Sequence, residues 1–280
     1  MQRGRRARFR RPPRSAKGLV GTSVLRGGPV ISFDLAFFAV AVPAVLFAGI
    51  SKGGFGSGAA FAALAALALI LEPAVALGLT LPLLMLMDAF TLRPYWRRWH
   101  WPSARLLILG GLPGVALGAV LYRVAEPDVF RVLIGAVALG FVGFQGAVRL
   151  RLLPARARPF SAATGLAAGV AAGFTSFVAH AGGPPVAVYL LAQGIGKTAY
   201  QATTVIAFWA INLFKAVPYG FLGIFTAQTL LADLVLAPVA LLGAWLGVRA
   251  HHVVSERLFF GVTYTALGVI GVKLIWDGVT

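Results

Sequence analysis

The sequence predicts an all-α polytopic membrane protein built from two repeated halves, and three observations carry that reading. Of its 280 residues 59% are hydrophobic and only 12% charged, against about 25% charged in soluble domains. Apolar runs approaching the ~20 residues needed to cross a bilayer recur along almost the whole chain. A glycine-rich break, Ser51-Lys52-Gly53-Gly54-Phe55-Gly56-Ser57-Gly58, lies between two such runs and has an echo, His180-Ala181-Gly182-Gly183-Pro184-Pro185, also between apolar runs. Strands with open edges cannot satisfy their backbone in hydrocarbon, so the runs read as helices.

In order, the first half holds apolar segments at 32–50, 59–71, 74–92, 104–122 and 130–148. The second holds 160–179, 184–193, 201–223, 227–248 and 258–276. Segments 59–71 and 184–193 are too short to span at about 1.5 Å per residue, and each follows a break, so they read as half-helices. A duplication underlies this order. Gly53-Gly54 matches Gly182-Gly183 at an offset of 129, Pro94-Tyr95 matches Pro218-Tyr219 at 124, and Ala138-Leu139-Gly140 matches Ala266-Leu267-Gly268 at 128. The repeats are 32–148 and 160–276, joined by the basic linker 149–159.

The net charge of +17 is uneven: nine of the 25 Lys and Arg residues lie in 1–30, a stretch without an acid. Residues 1–31 read as a basic, disordered tail. Elsewhere the bases flank apolar runs, as topology signals do. Arg93, Arg97 and Arg98, the linker, and Arg249 with Arg257 all fall inside if ten segments cross and the N-terminus is outside; the halves are then inverted. That leaves the tail's charges outside, and the expectation is a native start near Val30, since no methionine lies between Met1 and Met85. Eight crossings with the N-terminus inside is the competing count.

Four features carry chemistry. The glycines of the breaks can leave helical geometry and present N–H groups at a helix start, where the dipole favours an anion; Lys52 adds a full charge. The same glycines would also serve close helix packing. Lys215 lies inside an apolar segment with Asn212 one turn away on the same face, where a charge faces a cavity or partner unless it snorkels to the interface. Asp88, the repeat mate of Asn212, is a candidate to neutralise Lys52 or Lys215 or to carry a coupling proton, or else pairs with Arg93 or Arg97. His180 is a candidate hydrogen-bonding or titrating group, or a packing histidine. There is no cysteine, the four histidines show no metal spacing, and no Walker sequence appears, so neither cofactor nor direct ATP use is expected.

At these residues the chain resembles the TauE/SafE sulfite exporter family. The resemblance rests on Ala48 to Gly56, the Asp88-to-Tyr95 stretch, Gly182-Gly183-Pro184-Pro185 followed by Tyr189-Leu190, and Asn212-x-x-Lys215, and it covers about 32–276. It implies a duplicated helical exporter of small anions such as sulfite and sulfonates. The combined expectation is a multi-pass inner-membrane secondary transporter. Its substrate site would use Lys52, Gly53, Gly54, Gly56, Gly182, Gly183, Asn212 and Lys215, with Asp88 and His180 tuning charge or coupling. One half would rock against the other. Expected partners are a small anion and the lipid bilayer, not nucleic acid; a homo-oligomer is left open. The alternatives are a membrane enzyme on a lipid-borne substrate, for which His251-His252 with Glu256 is the only thin cluster, and a non-transporting scaffold.

Overall fold

The computed structural model describes residues 31–55, 59–150, 152, 161–250 and 256–280. The expected tail and start near Val30, most of linker 149–159, Gly56, His251 and His252 lie outside these residues. Every regular element among the described residues is helical. The order is α1 (Leu35–Ile50) running into a π-helical turn (Ser51–Phe55), α2 (Ala62–Leu67), α3 (Pro73–Leu92), α4 (Trp101–Val124), α5 (Pro127–Arg149), α6 (Ala162–Ala179), α7 (Gly183–Ala192), α8 (Lys197–Phe221), α9 (Ala227–Ala250) and α10 (Glu256–Val279). All except α2 and α7 are long and apolar enough to cross a membrane, eight in number among the described residues.

Local chemistry sets the helix ends. Asp34 caps α1, its carboxylate accepting from the Phe37 N–H at 2.8 Å, and Ser161 caps α6 by accepting from Thr164 N–H at 3.3 Å. Prolines open α3, α4, α5 and α7, where a missing N–H costs nothing. His180 ends α6 in the left-handed region at φ 52°, a conformation costing a non-glycine residue about 1–2 kcal/mol. The first break differs from expectation: residues 51–55 stay helical, with the wider π spacing, instead of leaving the helix.

The bundle is apolar outside as well as inside. Leu109, Leu117, Val120, Leu234 and Val269 are all more than half exposed, a surface that suits lipid and not water. This is a multi-pass membrane protein. The most buried long helix is α3, and α10 is the least.

Glycines set the closest approaches. A β-carbon at Gly169 of α6 would lie 2.9 Å from Gly110 Cα of α4, and one at Gly114 would lie 3.0 Å from Gly173 Cα. Likewise a β-carbon at Gly243 of α9 would lie 3.1 Å from Gly49 Cα of α1, and one at Gly247 3.0 Å from Gly53 Cα. In both pairs residue numbers rise together, so α4 and α6 run parallel, as do α1 and α9. Small residues every fourth position let membrane helices touch backbone to backbone. The pairs α3/α8 and α5/α10 run antiparallel: Gly78 meets Ile224 while His100 N–H donates to Thr203 Oγ1 at 2.8 Å, and Gly135 meets Gly271 while Gly278 meets Asp128. Among the long helices α1 packs on α9, α4 on α6, α3 on both α8 and α9, and α5 on α10.

Candidate functional site

Lys52 occupies the π-turn. Gly53 and Gly54 there press against the α9 backbone at Ala244, Gly247 and Val248, so a β-carbon on either would collide with it. With that face of the turn against α9, the Lys52 side chain extends to Asp88 of α3, and their charged groups form an ion pair at 4% and 1% side-chain exposure. The wider turn is held from α8 by Gln201, whose Nε2 donates to the Lys52 carbonyl at 3.0 Å. π-Turns within α-helices are frequent at functional sites because they re-aim a side chain without breaking the helix.

The other carboxylate oxygen of Asp88 accepts from Asn212 Nδ2 of α8 at 2.8 Å. The two positions lie at the offset of 124 that also separates Pro94-Tyr95 from Pro218-Tyr219, and the bond joins α3 to α8. One turn further along α8, the fully buried Lys215 donates to the Ser176 carbonyl at 3.0 Å and meets His180 Nδ1 at 2.6 Å. An ammonium only donates, so Nδ1 accepts. His180 is then neutral with its proton on Nε2, which donates to the Leu77 carbonyl at 3.3 Å. These two bonds hold the ring in its left-handed backbone setting. The ammonium also sits at the negative end of the α6 dipole, where the last carbonyls lack helical partners. Tyr219 supports the same end, its hydroxyl donating to the Phe177 carbonyl at 2.7 Å.

A cavity of about 10 Å³ lies between these groups, lined by Lys52, Leu84, Ser176, His180, Phe208 and Asn212. That is room for about one water. With both lysines protonated and His180 neutral, the cluster would carry two positive charges against one carboxylate.

Lys52, Asp88, His180, Asn212 and Lys215 converge as the sequence suggested. Gly53 and Gly54 lie beside them but serve helix contact with α9. Gly182 is the N-cap of α7, and a β-carbon there would meet Phe208 Cε1 at 2.6 Å and the Ala172 carbonyl at 2.8 Å; Gly183 begins that helix. Gly56 lies outside the described residues. Arg93 and Arg97 are not the partners of Asp88. Sequence reasoning missed Gln201, Ser176 and the structural part of Tyr219. Nothing in the sequence marked Gln201, since its role depends on the carbonyl that the π-turn exposes.

The family model described as sulfite exporter TauE/SafE matches residues 41–274. The chain belongs to the TauE/SafE family. The match spans most of the chain and takes in every described residue of the cluster. No curated protein and no solved structure matches it. TauE/SafE is a family of transporters, which accords with a polar cluster buried in a bundle of apolar helices and points to membrane export of an anion such as sulfite.

Proposed function

We propose that the chain is a secondary transporter of the inner membrane that exports a small sulfur oxyanion, sulfite or an organosulfonate, by alternating access. The carrying observation is the pair of buried lysines beside one small cavity, Lys52 on Asp88 and Lys215 on His180 and the end of α6; with both protonated they outnumber the one carboxylate. A monoanion neutralises that cluster. Charged groups at membrane depth are costly and tend to mark the path of an ion. The cavity of about 10 Å³ is too small for an oxyanion, so this conformation is a closed one. Asp88 occupies the place on Lys52 that the anion would take. An arriving anion displaces it, and Asn212 holds the freed carboxylate.

The two repeats are inverted copies in this reading. Support comes from the antiparallel run of the mates α3 and α8, and of α5 and α10. The starts of α1, α3 and α9 lie together, since Ile31 N–H donates to Gln228 Oε1 at 3.0 Å and Gly78 meets Ile224. The described residues 59–72, with α2, therefore lie on the return of the chain from the end of α1 to the start of α3. The moving units follow from the glycine contacts. Because α1 is locked to α9 and α4 to α6, each rigid pair takes one helix from each repeat, and the pairs move against one another with α3 and α8 between them.

Flux into proteoliposomes tests the proposal: external sulfite accumulates with wild-type protein and not with Lys52→Met/Lys215→Met. Absence of flux for sulfite and organosulfonates alike, in protein that remains folded, overturns it.

A further inference from the structure

The anion site leaves one buried carboxylate unused. Asp233 of α9 is 8% exposed, and neither of its oxygens has a hydrogen-bond partner, the only buried side-chain oxygens so placed among the described residues. It shares a helix face with the buried Thr229, Leu236 and Ala240 and so lies on the protein side of α9, not the lipid side. The Thr229 hydroxyl is already committed, donating to the Thr226 carbonyl at 3.0 Å. The elements packed on α9 are α1, α3 and the π-turn. Their titratable groups are Asp34, bonded to Phe37 N–H, Glu72 at the α3 N-cap, Asp88 and Lys52, paired with each other, and Arg93 at the α3 C-cap; α9 itself adds Arg249, stacked over Trp245. None of them bonds to Asp233. An ionised carboxylate with no partner in such a place costs many kcal/mol, whereas a protonated one is a neutral acid.

We propose that Asp233 is a proton-binding site, distinct from the anion site, and that its protonation governs the fit of α9 against α1 and α3. In this closed conformation it carries the proton. Loss of the proton puts a bare charge between three helices and drives α9 to a position where water reaches the carboxylate. That movement is felt at the anion site because the same helix clasps the Lys52 turn: a β-carbon at Gly53 would lie 2.9 Å from Val248 N. Proton release is thereby tied to repositioning of Lys52. The coupling rests on the transport reading; the proton site does not.

Infrared difference spectra of the full chain in liposomes at pH 7 test the site directly. Wild type is expected to show a protonated-carboxyl C=O band that shifts in D2O, is missing in Asp233→Asn and returns in Asp233→Glu. A hydrophobic carbodiimide should label Asp233 in the wild type. A spectrum unchanged by Asp233→Asn overturns the proton site. For the coupling, proton flux accompanying sulfite flux is expected to fall at least tenfold in Asp233→Asn while sulfite affinity holds within twofold. An unchanged proton-to-sulfite ratio overturns the coupling. Lack of sulfite flux in wild type bears on the transport reading and leaves the infrared result decisive for the site.

Discussion

Replacing Asp88 by Asn separates a carboxylate that competes with substrate from one that only stabilises the fold. The change keeps the shape and a hydrogen-bonding partner for Asn212, but removes the charge facing Lys52. Truncating one member of a buried ion pair costs about 3–5 kcal/mol, chiefly because the other charge is left unpaired. The empty protein should therefore lose stability on that scale. If an anion takes the place of Asp88 on Lys52, bound sulfite restores the pairing. The same free energy then appears as affinity. At about 1.4 kcal/mol per tenfold, the ceiling is about two to three orders of magnitude in Kd; reorganisation of Asn212 lowers the realised gain. The assay is thermal unfolding in detergent across a sulfite series, with titration calorimetry for Kd and chloride as the control anion. The expected outcome is a low midpoint without sulfite, a larger sulfite-dependent rise than in wild type, and a lower Kd. Destabilisation that sulfite does not relieve, with an unchanged or higher Kd, refutes the competition and leaves Asp88 as a structural partner of Lys52.

Three other outcomes follow from the geometry. Gly169→Ala should cost about 1–3 kcal/mol, because its β-carbon would lie 2.7 Å from the Leu107 carbonyl oxygen and backbone cannot yield cheaply. Gly140→Ala, with nothing within 4 Å, should gain up to about 1 kcal/mol from helix propensity; unfolding midpoints in one detergent compare the two. Lys215→Met removes the charged donor to Ser176 and the partner of His180, so it should cost about 1.5–3 kcal/mol, raise amide exchange at the end of α6 and weaken sulfite binding. Lys215→Arg should not rescue it, because the site is fully buried and a planar guanidinium does not replace a compact ammonium. Tyr219→Phe loses one hydrogen bond of 2.7 Å to the Phe177 carbonyl, worth about 1 kcal/mol, and calorimetry should find sulfite affinity within twofold of wild type.

The helices were legible because an apolar run has few alternatives in lipid. The charged members of the cluster stood out for the same reason: Lys52, Asp88 and Lys215 have no business in greasy segments unless they meet one another. The π-turn was not legible, because Gly53-Gly54 is a signal shared by loops and by close helix contact, and only the position of α9 decides between them. Its spacing was nonetheless readable: Gly49 and Gly53, Gly243 and Gly247, Gly110, Gly114 and Gly118, and Gly165, Gly169 and Gly173 all recur every four residues. Gln201 and Ser176 escaped because each acquires its role only through another helix: Gln201 of α8 reaches the Lys52 carbonyl, and Ser176 of α6 offers its backbone carbonyl to Lys215. Asp233 escaped because no partner exists to reveal it; its importance lies in that lack, which only burial exposes.

In the proposed reading of the two halves as copies, the departures between them bear on the chemistry. Had the copies stayed identical, two carboxylates would face each other across the junction at positions 88 and 212, in a medium where like charges repel strongly. Such a pair would share one proton and leave no defined partner for a lysine. With Asn at 212, the second position becomes a donor that orients Asp88 instead of opposing it. The same offset of 124 sets Thr91 against Lys215. Thr91 merely returns its hydroxyl to the Met87 carbonyl at 2.8 Å, whereas Lys215 reaches the end of α6. One repeat thus supplies its cation from a widened turn and the other from a long helix. The two lysines come from different elements and take different partners, Asp88 for one and a helix end with a histidine for the other. An anion entering between them meets one lysine that must be released by a carboxylate and one that is held by dipoles alone. In the proposed transport cycle the second is the cheaper to recruit, so Lys215 would make first contact and displacement of Asp88 from Lys52 would complete binding.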